Sequence, residues 1–244
     1  MILALETATT ACSAALCAAD GAVLAETVAL DGPAHTQRLL PGVHEVLEAA
    51  GAGWADVDTV AVGLGPGAFT GLRIGVATAR ALAQADGCVR LAGVPTPAAL
   101  ALAMAELAPE ARTLVPLIDG KRRELFAAVY KPDGDGGIEL VEDVSVVPVA
   151  EIADWLGRLD RPLVGGDGVA LCAGLLPASV TDAGLPAPTA AMVGRAFARG
   201  VPGAVVGPDD VLPLYGRAPD AARWQGTPER SASAARKCGA EGGR

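Results

Sequence analysis

Aromatic residues are scarce in this chain, at 3% of 244 positions, so any core must be built from aliphatic side chains and alanine. Positive charge is also in short supply. The chain has 19 Lys and Arg against 28 Asp and Glu, a formal net charge of −9. Neutralising phosphates requires clustered cations, and this balance excludes a broad basic surface for direct nucleic-acid binding. The only two histidines, His35 and His44, lie nine positions apart. That spacing forms neither HxxxH nor HExxH, so both read as surface or capping residues and no metal site is expected. Five cysteines, at 12, 17, 88, 172 and 238, include no CxxC pair or zinc spacing and read as reduced thiols. The chain also lacks a GxSxG elbow and a recognisable Cys-His pairing for nucleophilic catalysis. No apolar run reaches transmembrane length, and the first basic side chain is Arg38, so the positive n-region of a secretory signal is missing. The expectation is a cytoplasmic protein without membrane contact.

Hydrophobic residues make up 51% of the chain, enough for one large domain or two modest ones. The most informative stretch runs from Val62 to Gly75. Val57, Val60, Val62 and Leu64 form a short apolar run suited to a buried strand, and only glycine interrupts a helical pattern from Leu72 to Ala85. Gly65 and Gly67 flank Pro66 in the intervening turn, and Thr70 is placed to N-cap the helix. Such a loop exposes backbone amides and suits an anion. No Gly-Lys-Ser or Gly-Lys-Thr follows, which argues against a P-loop.

Arg73 opposes the macrodipole in the first helical turn, so a negative group is expected to answer it. A phosphate, a partner's carboxylate and the chain's own Glu6 are all open. Gly71, Gly75, Ala79 and Ala83 recur every four residues and leave one helix face almost without side chains. Either the chain's own elements or a second protein can approach that closely. The interface reading predicts that this stripe, with Leu39, Val43 and Leu47 of the preceding helix, forms a helical dimer and partner surface.

In chain order, the pattern predicts strands over 2–7, 12–18 and 23–30, the latter two joined at Asp20-Gly21. A helix carrying Leu39, Val43, Val46 and Leu47 ends at Gly51, with Pro41 in its first turn. The strand to Leu64, the small-faced helix and a strand at 91–94 follow. A second set consists of a helix over 96–107, strands over 114–118, 124–130 and 138–146, a helix over 149–156, a strand at 162–164 and a helix after Gly165-Gly166-Asp167-Gly168. A last helix spans 190–199. Two βββαβα halves in tandem predict an α/β, duplicated actin/hexokinase-like (ribonuclease H-like) fold with a cleft between the halves. The expected units are 1–95, then 96–221 with its last helix packing back on the first unit, and a disordered tail over 222–244.

In an actin-type site, an acidic residue and a Gly-Thr turn receive metal and phosphate. Here that place is Glu6-Thr7-Ala8-Thr9, without the glycine, so Glu6 and Thr7 read as a vestigial ligand site. Asp119, Lys121, Arg122, Arg123 and Glu124 form a charged turn, either a solvated hairpin or a polar wall of the cleft.

Residues 63–75, taken with the element order, closely resemble the signature of the TsaB (YeaZ) family of bacterial tRNA threonylcarbamoyladenosine biosynthesis proteins. Residues 4–16 resemble its first hairpin, 35–41 its His-Ser-x-x-Leu-Leu-Pro helix start, and 212–221 its C-terminal motif. The resemblance implies a non-catalytic subunit that binds the transferase TsaD and works with the ATPase TsaE. That complex modifies the adenosine beside the anticodon in tRNAs reading codons that begin with A. The resemblance also implies tRNA contact only through the complex, no cofactor on this chain alone, and no nucleotide outside the assembled complex; the interface reading of the small-residue stripe adds a homodimer when alone. The alternatives are a catalytic actin-fold ATP-dependent phosphotransferase and, more weakly, a TsaD-like metallopeptidase.

Overall fold

The computed structural model describes residues 1–30 and 35–216; the expected tail over 222–244 and the end of the 212–221 motif lie outside the described residues. Two sheets are built on one plan. In the first, β1 (Ile2–Glu6), β2 (Cys12–Cys17) and β3 (Val23–Ala29) form an antiparallel meander. β4 (Thr59–Gly63) runs parallel to β1, and β5 (Arg90–Val94) parallel to β4. In the second, β6 (Leu114–Asp119), β7 (Glu124–Pro132) and β8 (Ile138–Pro148) repeat the meander. β9 (Leu163–Gly165) and β10 (Thr181–Asp182) then repeat the parallel pair. A last short strand, β11 (Val205–Val206), joins the first sheet antiparallel to β5. The strand orders are β11-β5-β4-β1-β2-β3 and β10-β9-β6-β7-β8.

The helices occupy matching places. α1 (His35–Ala49), α2 (Phe69–Asp86) and α3 (Thr96–Leu107) belong to the first round, and α4 (Ile152–Gly157), α5 (Val169–Cys172) and α6 (Ala190–Ala198) to the second. This is the duplicated actin-like α/β fold that the element order predicts.

Packing follows from which faces are apolar. β1 and β2 are buried along their whole length, because both faces of the first sheet are covered. Leu3, Leu5, Leu16, Val60 and Val62 face α1 and α2, while Ala4, Ala15, Cys17 and Ala61 face α6. The residues on that second face are small, and they let α6 approach closely enough that Gly194 lies against Cys17 and Ala4. α3 is buried from Thr96 through Leu102 and again at Met104. It packs in one core with α6 and with Leu114, Ala128 and Tyr130 of the second sheet. A helix that is apolar nearly all round needs cover on more than one side, and α3 finds it between α6 and the second sheet. The third core covers the outer face of the second sheet with Ile152, Leu156 and Val169.

Two local expectations are corrected. α1 begins at His35, so Pro41 lies inside the helix rather than in its first turn. The ring removes the N–H that would bond the Gln37 carbonyl, and Pro41 sits on the exposed side, where water can serve that carbonyl. β10 and β11, of two residues each, are too short to show a periodic signal and were not expected.

Candidate functional site

β1 ends at Glu6, beside the C-terminal ends of β4 and β5, the rim on which open α/β sheets place their ligands. Glu6 is fully buried. One carboxylate oxygen accepts the Ala8 N–H at 2.6 Å, and the other accepts the Thr96 hydroxyl at 2.9 Å. Thr96 Oγ1 in turn accepts the Gly65 N–H at 3.0 Å. A Cβ on Gly63 would overlap the Glu6 carboxyl group, so the chain itself encloses the acid. Burial pushes the Glu6 pKa up from 4.5 to about 7, against the lowering effect of the Ala8 N–H, the Thr96 hydroxyl and the Thr7 backbone, and the Asp167 carboxylate raises it further. Thr7 is equally committed, since its hydroxyl donates to the Gly71 carbonyl at 2.9 Å.

Across from Glu6, the second half contributes Asp167, from the glycine-rich turn before α5. It accepts the Asp119 N–H at 3.0 Å. Burial raises the Asp167 pKa, partly offset by that hydrogen bond. Lys121 donates to Asp119 at 2.6 Å, while Lys121, Arg122 and Arg123 hold φ angles of 61°, 54° and 61°. Three consecutive non-glycine residues in the left-handed region are sterically costly. The turn's Asp119 is tied to Asp167 through the backbone N–H, while Lys121, Arg122 and Arg123 are exposed. Among the described residues, no group of His, Cys, Asp and Glu has the geometry to hold a metal ion.

The glycine loop after β4 is clamped to the turn between β1 and β2. Gly65 adopts φ +88°, a Cβ on Gly67 would overlap the Ala8 carbonyl, and the Ala68 N–H donates to that same carbonyl at 2.6 Å. The amides of Gly65 and Ala68 therefore serve the chain's own atoms rather than an open anion cradle. α2 starts two residues earlier than expected, with Ala68 at the N-cap and no side-chain cap hydrogen bond. Thr70 lies exposed in the first turn and does not cap the helix.

The small-residue stripe is also corrected. Cβ atoms on Gly71 and Gly75 would overlap the Thr7 carbonyl and hydroxyl oxygens respectively. Ala79 and Ala83 are buried in the core with Leu39 and Val43, and Leu47 packs against it. The close approach that these residues permit is used by the chain's own strand end. The outward face of α2 instead carries Thr70, Arg73, Ala77 and Ala81.

Arg73 does not pair with Glu6. It is exposed, and its guanidinium stands 5.3 Å from the centre of the Phe69 ring. Phe69 in turn lies 5.2 Å from Tyr215, centroid to centroid. His35, expected as a surface or capping residue, is 7% exposed, with Nε2 at 3.0 Å from the Thr9 carbonyl. His44 is exposed beside Glu48 at 3.3 Å. Sequence reasoning missed the contributions of Thr96, Asp167, Phe69 and Tyr215. The available signal was the scarcity of aromatics: with three Phe and two Tyr in the chain, one of each inside a motif is informative.

Comparison with known proteins follows the same outline. Residues 23–157 match the family model described as TsaD: tRNA N6-adenosine threonylcarbamoyltransferase. The tRNA threonylcarbamoyladenosine biosynthesis protein TsaB of Escherichia coli (strain K12) is 39% identical over 135 residues, covering 55% of this chain and 57% of that protein. TsaB of Bacillus subtilis (strain 168) is 29% identical over 170 residues, 67% of this chain and 69% of that protein. The chain spans about half the length of the curated relatives it matches. The solved structure of YeaZ from Pseudomonas aeruginosa superposes with a TM-score of 0.71 at 31% identity, covering 88% of this chain and 98% of that one.

Proposed function

The chain belongs to the TsaB (YeaZ) family, and on that premise we propose that it is a non-catalytic subunit of a tRNA threonylcarbamoyladenosine modification complex. In this reading it binds TsaD, works alongside the ATPase TsaE in the cytoplasm, self-associates when alone, and meets tRNA only through the assembly. Any nucleotide is taken up only in the assembled complex. The observation that carries the non-catalytic reading is the enclosure of Glu6. An acid that is to hold metal or receive phosphate must present free oxygens to a cleft, whereas both Glu6 oxygens accept hydrogen bonds from the chain itself. The net charge of −9 agrees with tRNA being held by another subunit.

The test is reconstitution of TsaD, TsaE, tRNA and threonylcarbamoyl-adenylate with and without this chain. Modified tRNA is expected to form efficiently only when the chain is present, and the chain alone is expected to turn over neither adenylate, ATP nor peptide. Steady ATP hydrolysis or proteolysis by the isolated chain, abolished by Glu6→Ala, would overturn the proposal in favour of a catalytic phosphotransferase or peptidase.

A further inference from the structure

The start of α2 carries an exposed cluster that the fold does not use. Phe69 is 57% exposed and Tyr215 47%, with their ring centres 5.2 Å apart, although burying side chains of this kind is favourable. Their support is rigid. The segment leading to Tyr215 is anchored by the buried Val211, whose carbonyl accepts from Arg80 at 3.1 Å. Leu214 donates its N–H to the Leu64 carbonyl at 2.8 Å. Gly216 then packs so tightly on Phe126 of β7 that a Cβ would overlap the ring. The segment thus crosses from the glycine loop of the first half to a strand of the second, and it presents Tyr215 against Phe69 on a fixed base.

Arg73 lies over the Phe69 ring and forms no ion pair among the described residues. One guanidinium braced on an aromatic ring that itself packs on a tyrosine matches the composition of interface anchors, in which tyrosine and arginine are enriched. It does not suit a phosphate backbone, which needs several cations, and the segment bearing Tyr215 follows directly on the exposed Asp209 and Asp210.

We propose that Phe69, Arg73 and Tyr215 form the anchor by which this chain docks a partner protein, and that the docked surface presents a carboxylate set among apolar side chains. The proposal rests on the reading of the chain as a subunit that binds TsaD, and it names where and with what chemistry that contact is made. It moves the interface centre from the small-residue stripe, which is internal, to the start of α2 and the segment that carries Tyr215.

The experiment measures the affinity of the full chain for TsaD by calorimetry, for the wild type, Arg73→Glu, Arg73→Lys and Tyr215→Ala, with thermal melts and sedimentation of each protein alone. Arg73→Glu and Tyr215→Ala are each expected to weaken binding by about 30-fold or more with unchanged melting temperatures, and Arg73→Lys is expected to weaken it less than Arg73→Glu. If the wild type binds and Arg73→Glu binds equally well, the anchor is wrong while the subunit reading stands. If the wild type does not bind TsaD at all, both fall. If Arg73→Glu dissociates a dimer of this chain yet binds TsaD normally, the occupant is a second copy and the proposal is overturned. Loss of affinity for tRNA in place of TsaD overturns it equally.

Discussion

The Thr96 hydroxyl donates to the Glu6 carboxylate at 2.9 Å while accepting the Gly65 N–H at 3.0 Å, so one buried side chain joins the end of β1, the glycine loop and the start of α3. A buried acid in this position is tolerated because its oxygens are occupied and because it can hold a proton.

The first prediction concerns that proton. The folded-state pKa of Glu6, about 7, lies above its ordinary 4.5, so the folded chain binds the proton more tightly than the unfolded chain. The resulting stabilisation is complete below about pH 4.5 and is lost as pH rises through about 7; its full size is on the order of 3 kcal/mol. Urea unfolding at a series of pH values should show wild-type stability falling, relative to Glu6→Gln, between about pH 5 and pH 8. Equal pH slopes for the two proteins would show that Glu6 is not the titrating group.

Thr96→Val keeps the shape of the side chain and removes the hydroxyl. It leaves a Glu6 oxygen and the Gly65 N–H without their partner inside the protein, and a loss of about 1 to 3 kcal/mol is expected for each buried polar group left unsatisfied. Denaturant midpoints at pH 7 measure this, and a midpoint within error of the wild type would contradict the buried relay.

Gly75→Leu tests the orientation of α2. A side chain there meets the Thr7 hydroxyl, so the variant should lose at least about 1 to 3 kcal/mol through overpacking. Ala77→Leu, on the exposed side of the same helix, should melt within about 0.5 kcal/mol of the wild type. A Gly75→Leu protein with the wild-type melting temperature would place the glycine stripe outside after all.

Thr59, at the start of β4, is fully buried, and its hydroxyl makes no hydrogen bond among the described residues. Thr59→Val removes the orphaned group, preserves the branched shape and suits a strand, so a gain of about 1 kcal/mol is expected from the relieved desolvation cost. A drop in melting temperature would show that the hydroxyl is satisfied in solution.

The sequence by itself determined the order of elements, the duplication and the position of the loop, because strand alternation, helical spacing and turn residues such as Asp20-Gly21 are local signals that neighbours in the chain carry together. It also located the segment at Tyr215 as a motif without showing what it touches. Tertiary structure alone decided which way each surface points. A stripe of Gly71, Gly75, Ala79 and Ala83 reads the same whether the approaching backbone belongs to a partner or to the chain's own Thr7, and only the closing of the β1–β2 turn over α2 selects the second. The same closure buries Glu6 away from Arg73, and it leaves Arg73 on Phe69, beside a Tyr215 brought in from the far end of the described chain. Contacts between residues so distant in sequence depend on how the two halves meet, and no periodicity within either half encodes that.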